Sequence, residues 1–205
     1  MEFHEVLRRR KMIRSFRPDQ PQLEEEVSAV FTDATHIPTA GFSQGVEWLV
    51  LTRPEDKEAF FTLITTPQWR ATNTSHRGMQ HASAVGILLA DERRYVERYR
   101  APDKKYANWK SASDWPAPFW YVDAGAAMMT ALLSAVDHDL GASVLAIDRG
   151  QDELRATFSI PEELHLVVAV LLGIPAESWS PGSSSRRSRR NPDSLVHRHR
   201  YERKD

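Results

Sequence analysis

Residues Phe119 to Leu140 form the longest apolar stretch of the chain, and they leave a helix no wet side. Ala124, Ala127, Met128, Ala131, Leu132 and Leu133 fall at every angle around a 3.6-residue period, and a helix apolar all round must be covered all round. Asp123, Asp137, His138 and Asp139 interrupt the stretch, which argues against a membrane span, so protein has to do the covering. In a chain of 205 residues, a core together with a subunit interface covers every face. The reading is a two-fold homodimer with a large apolar contact.

The other elements follow from period and punctuation. Residues 2–12 read as a short helix, and Leu23, Val27, Val30, Phe31 and Ala34 give residues 22–34 one apolar face with glutamates outside. Val46 to Thr52 reads as a strand, and Pro54 opens a helix to about Thr66. Ala84 to Ala90 is a continuous apolar run, the pattern of a central strand covered on both faces. Residues 91–118 read as a short helix followed by a long irregular loop rich in aromatic residues. A strand from Gly141 to Ile147, a helix over 151–158 and a strand from His165 to Leu172 complete the set. These elements predict an α+β, three-layer α/β/α domain over residues 1–175. Residues 176–205 read as an extended arm, with Leu195-Val196 offering an edge strand.

Composition excludes several classes. With 27 basic and 28 acidic residues, the overall charge points to neither nucleic acid nor an anionic membrane. The absence of cysteine excludes disulfides, iron–sulfur clusters and thiol catalysis. His76, His81, His197 and His199 lack metal-ligand spacing with carboxylates, so no metal is expected. The opening Met-Glu-Phe-His-Glu-Val lacks the apolar core of a signal peptide, and cytoplasmic residence is the expectation.

Charge is informative locally. Arg8 to Arg17 contains six basic residues, and Arg186-Arg187-Ser188-Arg189-Arg190 forms a second knot far along the chain. Alone, the first is a solvated helix terminus favoured by the helix dipole, and the second a flexible basic tail. Together they point to one shared anion. The planar arginine fork suits phosphate oxygens, and lysine adds a point charge.

The run Arg10-Lys11-Met12-Ile13-Arg14-Ser15-Phe16 resembles the N-terminal signature of the nitroreductase-like, FMN-dependent flavoprotein family, with Met12 where a serine is usual. Ile37-Pro38-Thr39-Ala40-Gly41-Phe42-Ser43-Gln44-Gly45 is similar to its second signature, with Phe42 where an asparagine is usual. Asp123 opens a helix resembling the family's interface helix, and Arg189-Arg190-Asn191-Pro192 followed by Val196-His197 resembles its closing segment.

The resemblance implies a nitroreductase-like fold with a central mixed, mainly antiparallel sheet and an interwoven dimer holding FMN at the subunit interface. It implies that Arg10, Lys11, Met12, Arg14, Arg189 and Arg190 surround the phosphate. Pro38, Thr39, Ala40 and Phe42 from the partner subunit, with the backbone of Ala146 and Ile147, would border the flavin ring. The implied activity passes a hydride from NAD(P)H through flavin to a planar, nitroaromatic or quinone-like acceptor. The protein then needs no acid–base side chain, and the catalytic residues stay unassigned. Tyr99, Tyr106, Trp109, Trp115, Phe119 and Trp120, with Trp69 and Phe42, are expected to select the acceptor or to pack the core and interface. The competing readings are an enzyme that fragments reduced FMN to the cobalamin ligand, a deazaflavin user, and a non-catalytic flavin-binding or nucleic-acid-binding protein.

Overall fold

The computed structural model describes residues 1–72, 77–177 and 186–201. His76 therefore lies outside the described residues, as does part of the C-terminal arm. Four strands, β1 (Val46–Leu51), β2 (Ala84–Ala90), β3 (Gly141–Leu145) and β4 (His165–Gly173), form one sheet in the order β1-β2-β4-β3. All three pairings are antiparallel, with an irregularity between Leu88 and Leu89. The mixed character expected of the sheet reduces to one parallel bridge, between Met12 and Ala142 at the outer edge of β3.

Among the described residues, seven α-helices surround the sheet: α1 (Phe3–Arg9), α2 (Glu24–Asp33), α3 (Pro54–Ile64), α4 (Pro67–Thr72), α5 (Glu92–Arg100), α6 (Phe119–Asp137) and α7 (Gln151–Phe158). Strand alternation sorts the core into two sides. Val85, Ile87, Leu51, Ala169 and Leu171 pack with Phe60, Phe61 and Ile64 of α3 and Leu154 of α7. On the opposite side, Ala84, Val170 and Leu172 pack with α2 and α6 through Val30, Phe31, Ala131, Leu132 and Ala135. A third cluster joins Leu88 and Ala90 to Tyr95, Trp115, Trp120, Ala124 and Ala127. Every residue of β2 is buried, as its unbroken apolar run requires. Gly86 makes room for α2, because a Cβ there would lie 2.2 Å from the Phe31 ring.

The helix α6 departs from all-round burial. Trp120, Asp123, Ala124, Ala127, Ala131, Leu132 and Ala135 are buried against the sheet and α2, while Tyr121, Val122 and Met129 are exposed on the other side. Its length and hydropathy would suffice to cross a membrane, but half of it is buried inside one chain, which makes it a core helix with one uncovered stripe. The long segment after β2 is also more ordered than its composition predicts. It holds α5 and short 3-10 turns at Pro102–Ala107 and Ala112–Asp114. The expected edge strand at Leu195-Val196 is a 3-10 turn over Pro192–Ser194, with both apolar side chains exposed.

Candidate functional site

Two segments carry the expected site, and each is fixed by its own neighbours. After α1 the chain runs extended along the outer edge of β3. The Ile13 N–H donates to the Ala142 carbonyl at 2.8 Å, and the Phe16 N–H to the Gly78 carbonyl at 3.1 Å. Beyond that, the Arg17 N–H donates to Ile174, and the Ala176 N–H to Ser15. Ile13 and fully buried Phe16 anchor the segment in the α3 side of the core, while Met12 packs toward α2 and α6. Met12 thus offers a ligand its backbone, its side chain being committed to packing.

The arginines of this segment divide into two groups. Arg8 is paired with Glu5, and Arg9 with Asp139 at 3.2 Å. Arg10 and Arg14 are half-buried, and among the described residues no hydrogen bond or ion pair engages either guanidinium. Lys11 is exposed. A part-desolvated guanidinium on a clamped backbone has the donor geometry that an anion with several oxygens requires.

The segment also borders a cavity of about 470 Å³ lined by Ser15, Phe16, Arg70, Gly78, Gln80 and His81. Arg70 is the member that sequence reasoning missed. Its Nη1 donates to the Phe61 carbonyl and the Thr65 hydroxyl, both at 3.2 Å, which aims it back from the short helix α4. Thr66-Pro67 was the available signal, since the Thr66 hydroxyl accepts the Trp69 N–H at 2.9 Å and caps that helix.

The second segment, Pro38 to Gly45, leads into β1. Gly41, Phe42 and Gln44 have φ of 62°, 61° and 52°, and a non-glycine residue there costs on the order of 1–3 kcal/mol. The loop is held from within by the Gln44 N–H donating to the Thr39 hydroxyl and the Ser43 hydroxyl donating to the Ala40 carbonyl. It is held from outside by three groups. Arg98 of α5 donates from Nε to the Gly41 carbonyl at 2.8 Å, and a Cβ on Gly41 would strike the Tyr99 ring. The Ala40 N–H donates to Oδ2 of Asp123 at 2.9 Å, and the Tyr95 hydroxyl donates to the same oxygen at 2.9 Å. Burial, with the Asp123 bond second, pushes the Tyr95 phenol far above its ordinary range, so it remains a donor. Phe42 projects from this frame with 72% of its surface exposed.

The remaining expected residues fall into place unevenly. At the end of β3, Ala146 is exposed, whereas Ile147 is a core side chain whose carbonyl accepts from Gln151 at 2.7 Å. Arg189 and Arg190 are exposed, and the bond described for Arg190 goes to the Ser194 carbonyl four residues on. Of the aromatic residues, Trp115 and Trp120 are buried in the core, Tyr99 and Trp109 stack with centroids 5.1 Å apart, and Tyr106 is 80% exposed. Among the described residues, no group of histidines and carboxylates is arranged to hold a metal.

The sheet order separates the two segments. One is bridged to β3 and the other leads into β1, the two opposite edges. Three strand spacings amount to about 14 Å. A single chain therefore holds the basic segment and the loop at opposite edges of one sheet.

The pattern of the nitroreductase family matches residues 7–174. The chain belongs to that family. The nitroreductase fold is equally plain in solved structures. A nitroreductase-like protein from Streptococcus mutans is 14% identical and superposes with a TM-score of 0.73, over 97% of this chain and 98% of its own. NfrA2 of B. megaterium is 18% identical with a TM-score of 0.72, over 98% of this chain and 76% of its own. A nitroreductase family protein from Clostridium novyi NT is 19% identical with a TM-score of 0.65, over 87% of each chain. No functionally curated protein matches.

Proposed function

We propose that this member of the nitroreductase family is an FMN-dependent oxidoreductase that passes a hydride from NAD(P)H through flavin to a planar, nitroaromatic or quinone-like acceptor. The observation that carries the reading is the pair of guanidinia of Arg10 and Arg14, unengaged among the described residues, on a backbone clamped to β3 and to the exit of β4. Two fixed forks and the neighbouring Lys11 fit a phosphate dianion. Bound flavin supplies the two-electron chemistry, so the protein's work is binding, orientation and exclusion of water.

In that work Arg10, Arg14 and Lys11 hold the phosphate, with Arg189 and Arg190 closing over it from the C-terminal arm. Met12, Ala146 and Ile147 contribute backbone along the cofactor. Pro38, Thr39, Ala40 and Phe42 border the ring from the partner subunit of an interwoven homodimer. That arrangement accounts for the separation of the two segments within one chain and for the uncovered stripe on α6. It requires neither nucleic acid nor membrane, and fits a cytoplasmic enzyme.

The test is optical. Purified protein is expected to show oxidised-flavin absorbance that NADH or NADPH bleaches, and Arg10→Ala with Arg190→Ala is expected to lose FMN on gel filtration. A colourless protein that FMN does not stabilise would refute the proposal. A coloured protein that neither nicotinamide bleaches would instead fit flavin fragmentation or flavin binding without turnover.

A further inference from the structure

Asp123 is an anomaly in its own helix. It lies in the first half of α6, 7% exposed, among alanines and aromatic rings, where aspartate is a poor helix former and a carboxylate is costly to bury. Nothing in α6 itself requires it. Its Oδ2 accepts two hydrogen bonds, each 2.9 Å long, from the Ala40 N–H and the Tyr95 hydroxyl. The first spans 83 residues of sequence and ties the core helix to the loop before β1. Bonds to a charged acceptor are the strong ones, and here the one to Tyr95 is buried and the one to Ala40 part-buried.

What the bonds restrain is a loop that strains to keep its shape. Ala40 immediately precedes Gly41 and Phe42, both left-handed, and the Phe42 ring stands in water although apolar. Arg98 secures the Gly41 carbonyl from the other side and is itself held by Asp103 through two bonds of 2.9 and 2.6 Å.

We propose that Asp123 is a positioning residue for the acceptor site. By holding the Ala40 amide it keeps Phe42 presented as a rigid aromatic face, and that face selects planar acceptors by stacking. The acceptor part of the inference rests on the FMN reading above, while the clamp itself does not.

The experiment compares wild type, Asp123→Asn, Phe42→Asn and the double variant. Asparagine at 123 keeps the volume and removes the charge, and asparagine at 42 suits the left-handed backbone. In FMN-free protein, Asp123→Asn is expected to speed hydrogen exchange of the Ala40 to Gln44 amides by about tenfold, the scale of losing one charge-assisted bond. In holoenzyme it is expected to raise KM for a planar quinone by about tenfold, again on that scale, with kcat little changed. Phe42→Asn should raise KM similarly, and the double variant should be no worse than Phe42→Asn alone.

Unchanged exchange at Ala40, or KM effects that simply add, would overturn the proposal. If Asp123→Asn does not fold, Tyr95→Phe removes the other bond to the same oxygen and should move exchange and KM in the same direction. Failure to move either overturns the clamp. A wild type that never binds FMN defeats the function and the acceptor claim together, with the exchange measurement still deciding the clamp.

Discussion

Asp91 shows what a single carboxylate does where a strand becomes a helix. It follows the last residue of β2, is 5% exposed, and caps α5 by accepting the Arg93 N–H at 3.0 Å. The Arg93 guanidinium closes on both oxygens at 2.9 Å and holds the Asp91 carboxyl below the usual carboxylate range, against the opposing effect of burial. A carboxylate whose folded pKa is depressed stabilises the fold above its unfolded value of about 4, and the contribution is lost as pH falls through the folded value. Asp91→Asn is therefore expected to cost about 1–2 kcal/mol at pH 7. In urea unfolding the gap between variant and wild type should narrow as pH falls below about 4 and through the depressed folded value, since protonated aspartate has no charge left to lose. A gap that does not narrow as the folded carboxylate is protonated would show that packing, rather than the ion pair, carries the effect.

Elements were legible in proportion to their period. The strands at 84–90 and 165–173 and the helices at 24–33 and 54–64 announce themselves, because one alternating or 3.6-residue pattern has one way to bury itself. The tie from Asp123 to the Ala40 loop was not legible, since it joins residues 83 apart that only tertiary folding brings near, whereas Arg70 is set by partners five and nine residues away. Nor was the left-handed backbone of Phe42, a residue type that argues against it. The edge strand expected at Leu195-Val196 failed because two apolar residues among charges make no alternating face.

Helix α6 sits between these cases. Its pattern demanded cover on every side, and one chain supplies half, leaving Tyr121, Val122 and Met129 in water. If a second chain covers that stripe, Val122→Glu or Met129→Glu should convert a dimer to monomer in sedimentation. The secondary structure of each chain should be unaltered, because neither side chain is buried within it. A chain already monomeric at micromolar concentration would remove the basis for a shared site.

At the scale of the whole molecule, the question is whether one site needs two chains. The basic segment is fastened to β3 at one edge of the sheet, and the loop carrying Phe42 opens onto β1 at the other. Each is immobilised by its own neighbours, so neither can cross the sheet without breaking the bonds to Ala142 and Gly78 or those to Asp123 and Arg98. In the proposed homodimer a two-fold axis would meet this without deformation, by bringing one protomer's loop to its partner's basic segment twice over. Complementation tests the geometry directly. One chain would carry Arg10→Ala and Arg14→Ala, and the other Pro38→Gly, Thr39→Gly and Phe42→Gly. Each homodimer should purify colourless. In the heterodimer, a site built across chains pairs two damaged halves on one side and two intact halves on the other, so one flavin per dimer should return. A site built within a chain would be damaged in both protomers, and the heterodimer would stay colourless.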